Sequence, residues 1–201
     1  MAFWGASYSD KSSPIKDPKR KFRFMVQMTG FGDTAAALGS GATTAESGEL
    51  WFAKSVTKPS FTIAAAEHKY LNHTFYYPGS VTWNEITVTM VDPQSPDVAA
   101  TLSSLIEAQG YQVPTSLDVR STISKWSAAA NSGNIIVTQL DANGDPLETW
   151  TLWNGFITEV TYGDLAYGDD ELTEMTVKFR YDWAQLDAPG EESGENNEYF
   201  Q

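Results

Sequence analysis

Residues 174–183 constrain the fold more than any other stretch of the chain. Met175, Val177, Phe179, Tyr181 and Trp183 alternate there with Glu174, Thr176, Lys178, Arg180 and Asp182. A strict period of two describes a long antiparallel strand with one dry face and one wet, charged face. A strand that is dry on one side needs a second layer to cover it, so the chain is committed to a packed β architecture. The same alternation recurs in residues 22–28, where Phe22, Phe24, Val26 and Met28 share a face, and in Ile86, Val88 and Met90 set against Glu85, Thr87 and Thr89.

Other segments fill in the pattern. Residues 50–56 and 61–63 read as short strands, 68–72 as turn-like, 74–77 as a strand, 78–79 (Pro-Gly) as a turn and 81–91 as a strand. Residues 135–140 and 147–153 pair as a hairpin around 141–145, where Asn143-Gly144 supplies positive φ angles. One helix is well marked. Ser95 suits its cap, Pro96 its first turn and Asp97 its dipole; Val98, Leu102, Leu105 and Ile106 form its apolar stripe, and Gly110 stops it. A shorter helix is expected within 121–130. The spacing therefore predicts a mainly β domain with one packed α-helix. Because a single helix cannot cover both sides of so many strands, the sheet is expected to close as a sandwich or barrel.

The expected organisation is an N-terminal arm over residues 1–21, a β domain over 22–183 with a flexible Gly/Ala-rich insertion at 31–48, and an acidic, disordered tail over 184–201. The chain has no cysteine, which removes disulfides and thiolate metal sites. Neither a secretory signal nor a membrane-spanning run is expected. Essentially all of the net charge of −13 lies beyond residue 140, where Lys178 and Arg180 are the only basic residues. Near the other end stand Lys16, Lys19, Arg20, Lys21 and Arg23, a polarity that suits head-to-tail contacts as well as simple solubility.

Chemical motifs yield to structural explanations. Gly30-Phe-Gly-Asp-Thr-Ala35 has the glycines of a dinucleotide-binding turn, with Glu49 downstream. The strand before it alternates, however, whereas a strand feeding such a turn is apolar on both faces. The two histidines, His68 and His73, with Glu67, lack a helical metal-ligand spacing. No pair of carboxylates and no nucleophile motif stands out, so the chain is expected to be no enzyme and to need no cofactor. The 7 Trp, 9 Tyr and 10 Phe are better spent on core and interface than on stacking nucleic acid, because the net negative charge opposes phosphate contacts.

Several features in order carry a family resemblance. Residues 150–162, with Gly155, lead through Leu165 and Leu172 into the Tyr-Asp-Trp ending of residues 181–183. Upstream, Pro78-Gly-Ser-Val-Thr-Trp83 precedes the strand ending at Asp92 and then the capped helix, and residues 52–61 run from a strand into a bend. Over residues 22–30 and 49–183 the chain resembles the inner tail-tube proteins of contractile-tailed bacteriophages. Type VI secretion tubes share that fold with weaker sequence similarity. The resemblance implies the tail-tube type of β-sandwich, with homo-hexameric rings stacked into a hollow tube, partnered by tail sheath and baseplate. Double-stranded DNA would pass through it without specific binding. It further implies a virion (tail) location after assembly in the host cytoplasm, with no membrane insertion by this chain. Phe61, Ile63, Tyr70, Phe75, Tyr76 and Tyr77 are the expected ring-stacking residues, and Glu148, Glu159, Asp164 and Glu174 the expected acidic lumen residues. Two related roles remain open, a tube-initiating baseplate protein and the tube of an extracellular injection device. A soluble carbohydrate-binding β-sandwich is the alternative of a different class.

Overall fold

A computed structural model describes residues 19–29, 52–94, 97–115, 122–168, 170–189 and 196–200. The arm before residue 19, the 31–48 insertion with its glycine motif, and Ser95 and Pro96 lie outside the described residues. The chain is mainly β, as its alternation predicts. Its strands are β1 (Phe24–Thr29), β2 (Ala53–Val56), β3 (Phe61–Tyr70), β4 (His73–Trp83), β5 (Ile86–Val91), β6 (Gly133–Leu140), β7 (Pro146–Thr161), β8 (Glu174–Arg180), β9 (Trp183–Pro189) and β10 (Asn196–Tyr199). Two helices, α1 (Val98–Ala108) and α2 (Lys125–Ala130), separate β5 from β6.

The long strand β7 organises the sheet. One edge pairs with β6, which in turn pairs with β1. The other edge takes β8 and then β9, and the register runs unshifted from Ile157↔Phe179 to Thr149↔Asp187. Beyond β8 lie β5 and β2; beyond β9 lies β10. The outermost strands β1 and β2 approach each other, so the sheet curls nearly closed. The dry faces meet in one core. Val26, Met28, Ile86, Val88, Met90, Ile135, Val137, Leu152, Met175, Val177 and Phe179 are buried there, with Val98, Leu102 and Leu105 of α1 laid against them. The Asp97 side chain caps α1 by accepting from the Ala100 N–H at 2.9 Å. It does so because a cap must lie just before the first helical turn, so the cap position falls at Asp97 instead of the Ser95 expected from sequence.

Four further expectations are corrected. The chain reverses at Leu71-Asn72, inside the stretch 68–72 expected to be turn-like, where Leu71 takes φ 52°, but Pro78-Gly79 is no turn, because β4 runs through it. The pairing shifts there from Ile63↔Val81 to Ala65↔Pro78, a bulge in a ribbon with no third strand, where a proline removes no needed donor. Gly79 is required at that bulge, since a Cβ would stand 2.9 Å from the Ala64 carbonyl oxygen. In the 141–145 turn only Gly144 has positive φ, because Asp141 Oδ1 accepts from the Asn143 and Asp145 N–H groups and shapes the turn itself.

The expected strand through Trp183 breaks at Tyr181-Asp182. Opposite the break Asn154 adopts φ 57° and donates from Nδ2 to Asp182 Oδ2 at 2.8 Å. Trp183 therefore leaves the dry face, stands 45% exposed and stacks on Trp153. Nor is the region after Trp183 disordered throughout. Residues 184–189 continue along β7 as β9, and β10 pairs back onto β9, because an open sheet edge accepts backbone partners even from a polar segment. Among the described residues no helix is long and apolar enough to cross a membrane.

Two aromatic positions drawn from predicted dry faces separate in this fold. Phe179 is fully buried, whereas Phe22 is exposed beside the Arg23 guanidinium. Phe179→Ala is expected to cost about 3–5 kcal/mol of unfolding free energy in urea, and Phe22→Ala less than about 0.5 kcal/mol.

Candidate assembly interface

The β3–β4 hairpin forms a two-stranded sheet of its own, separate from the curled sheet. Every described side chain from Phe61 to Thr82 is exposed. A two-stranded ribbon has no layer to cover it, so its apolar groups face water in the isolated chain. All six residues expected at a stacking interface lie on it, yet they do not form a single patch. Beyond the bulge, directly paired residues share a face. Tyr77, His68, Phe75, Tyr70 and His73 share one face, and Tyr76 lies on the other with Glu67 and Lys69. Phe61 and Ile63 pair with Trp83 and Val81 near the root. Glu67 thus sits opposite the two histidines, and no group of three His, Asp or Glu suited to a metal ion exists among the described residues. Sequence reading missed Val81 and Leu71, both exposed on this ribbon. Val81 lies across the bulge from the tip and Leu71 in the unpaired turn, where no alternation marks them.

The root of the hairpin is firmly held. The Asn84 N–H donates to the Ser60 carbonyl at 2.8 Å and its side chain to Ser60 Oγ at 3.1 Å. Phe61 and Trp83 meet edge to face at 5.1 Å, and Trp83 lies 6.0 Å from Tyr181. Burial pushes the Tyr181 phenol up to about 12; its hydroxyl approaches the Ser60 backbone but makes no hydrogen bond of ordinary geometry.

The four carboxylates expected to face a channel have different fates. Glu148 is buried, and its carboxylate takes hydrogen bonds from Lys19, Lys58 and Trp150 Nε1. Lys58 also donates to Gln139 Oε1 at 2.6 Å, and Gln139 Nε2 donates to the Arg20 carbonyl at 3.2 Å. The cluster therefore joins the segment before β1, the link between β2 and β3, β6 and β7. It also ties down Lys19, which sequence reading had left in a free basic arm. Glu174 pairs with Lys54, and Glu159 accepts from Lys178 at 2.7 Å. With Arg180 and Glu85 at 3.5 Å, these pairs form a row of alternating charge on the wet face of β8 and its neighbours. The hydrogen bond to Glu174 raises the pKa of Lys54, and that to Glu159 does the same for Lys178. Asp164 is exposed on the β7–β8 connection, in an open cleft with Leu165, Tyr167, Glu171 and Leu172.

No family model matches the sequence, and no curated protein sequence does. Solved structures do match the fold. A chain of the anti-feeding prophage baseplate superposes with a TM-score of 0.60 at 13% identity, covering 85% of this chain and 96% of the other. A chain of the PVC extracellular contractile injection system, from its extended sheath–tube complex, gives 0.58 at 16%, covering 86% and 93%. One from the anti-feeding prophage cap that terminates the tube gives 0.60 at 15%, covering 94% and 99%. The chain has the tail-tube fold. The match extends beyond the stretches that carried the resemblance in sequence, and at these identities it establishes the shared tail-tube fold alone.

Glu148 gives a test with a defined sign. Burial alone would raise its pKa, but the Lys19 and Lys58 hydrogen bonds outweigh it and bring the group from 4.5 down to about 2. Its contribution to stability is therefore present above pH 4.5 and is lost as pH falls toward 2. Because both lysines are half exposed, that contribution is about 1–2 kcal/mol. Glu148→Gln is expected to lower urea stability by that amount at pH 7, and the difference from the wild type is expected to close only as pH falls through about 2, measured by tryptophan fluorescence.

Proposed function

We propose that this chain is a structural subunit of the inner tube of a contractile phage tail. Six copies form a ring, rings stack into a hollow tube, and sheath and baseplate proteins surround and nucleate it. One observation carries the reading: a tail-tube fold that extends an aromatic hairpin whose side chains from Phe61 to Thr82 are all exposed among the described residues. An exposed apolar ribbon of this size is a liability in a free monomer and an asset in a self-assembling one. Phe75, Tyr77 and Tyr70 on one face and Tyr76 on the other are the groups that a neighbouring copy buries. The role is structural and needs no cofactor.

In this reading the tube conducts double-stranded DNA, and the virion tail is where the protein works. The support is the wet face of β8. A wall built of matched charge pairs and threonines gives phosphates little to hold, and over hundreds of subunits even about 0.1 kcal/mol of attraction each, well below a typical surface ion pair, would brake the DNA. Glu159 and Glu174 belong to this wall; Asp164, on the β7–β8 connection, and buried Glu148 do not.

A related reading is a subunit at the tube's end, favoured by the 94% of this chain that the tube-terminating cap structure covers. Electron microscopy over a concentration series separates the two: hollow rods with six-fold end views for a tube subunit, single rings that never stack for an end subunit. Monomers at every concentration that bind sugar would sink both in favour of a carbohydrate-binding module. Phe75→Asp with Tyr77→Asp is expected to abolish stacking while leaving the circular dichroism spectrum and Tm near wild type, since neither side chain contributes to the core.

A further inference from the structure

The C-terminal segment does something that neither its acidic composition nor the tube reading accounts for. β10 lies antiparallel on β9, with Asn196 opposite Pro189 and Tyr199 opposite Leu186, and Leu186 is itself opposite Trp150 on β7. This register delivers Phe200 to the root of the hairpin. Its ring lies 5.7 Å from Phe61 and 5.7 Å from Trp83, edge to face in both cases, and stacks on Trp150 at 6.5 Å. Phe61 and Trp83 are the cross-strand pair that closes the hairpin at its base. One aromatic ring therefore bridges both strands of the ribbon and the central strand of the sandwich.

Two details indicate a seat specific to this ring. Phe200 has φ 66°, a left-handed conformation uncommon for a bulky non-glycine residue, and this turn of the backbone aims its ring at the hairpin root. It also remains 52% exposed, so the seat can be vacated without opening the core.

We propose that β10 and Phe200 form a detachable latch in cis, clamping the root of the β3–β4 hairpin against β7 and fixing the direction in which the hairpin leaves the sandwich. The consequence for ring stacking rests on the tube reading, because a ribbon anchored at one end needs a set direction to meet a neighbouring ring. The latch itself does not depend on that reading.

Hydrogen–deuterium exchange of the full chain tests it. Phe200→Ala is expected to speed amide exchange at Phe61–Ile63 and Val81–Trp83 at least tenfold, while Met175–Phe179 in the core stays unchanged. Phe200→Tyr keeps the ring and is expected to behave as wild type. A chain ending at Pro189 is expected to loosen the root at least as much. Unchanged root exchange in Phe200→Ala overturns the latch, whatever the shortened chain does, because shortening also bares the β9 edge. Loosening that spreads equally through the core overturns it too, by making Phe200 a general stabiliser. A loosened root with undiminished rods upholds the latch and overturns its consequence for ring stacking, so the two claims fail separately.

Discussion

Everything in this fold hangs on hydrogen bonding along both edges of β7. Sixteen residues long, it carries β6 on one side and the β8–β9 line on the other, so both halves of the curled sheet share one backbone. Such a strand cannot slip by one residue without turning every dry side chain of two layers outward. The line of β8 and β9 breaks where Asn154 and Asp182 bond across the gap, and beside it Gly155 leaves room for Ile135, whose Cδ1 would stand 3.1 Å from an added Cβ. That break lets one strand serve two directions: β8 leads to β5 and the core beneath α1, while β9 leads to β10 and the chain terminus.

A second, electrostatic constraint closes what β7 opens. The cluster around Glu148 draws together the segment before β1 and the link after β2, the two ends of the curled sheet. It uses a carboxylate that burial would otherwise neutralise, held charged by two lysines from opposite directions. Its position just ahead of β3 means that the same clasp anchors the point from which the hairpin departs. The hairpin is thus fixed at its base by ionic, amide and aromatic contacts and exposed over the rest of its length among the described residues.

Much of this was legible in the sequence, and the failures have physical causes. Alternation at Val26-Met28, Ile86-Val88-Met90 and Met175-Val177-Phe179 identified the core strands because each has one wet and one dry face. The helical stripe was equally plain. The hairpin was only half visible: its tip and bulge carry alanines, proline and glycine, and a ribbon exposed on both faces has no alternation to display. The aromatic residues were expected at an interface, and the structure places them exposed on the hairpin; how Phe61 and Ile63 relate to the tip depends on a register shift that no local pattern announces. The burial of Glu148 and its pairing with Lys19 were not legible, because a carboxylate's neighbours across 129 residues of sequence are invisible to composition. Residues 184–189 and 196–199 looked disordered because their charge outweighs their apolar content, yet backbone pairing to an open edge requires no apolar side chain.

The wet row across β8 has a consequence of its own. Lys54 with Glu174, Lys178 with Glu159, and Arg180 with Glu85 place each cation beside an anion, so the field of the row falls away within a few ångströms of the surface. To a polyelectrolyte passing a nanometre away, such a surface is nearly neutral, yet it stays fully hydrated. That combination resembles the zwitterionic coatings used to resist fouling: water clings to such a surface and a polyanion does not.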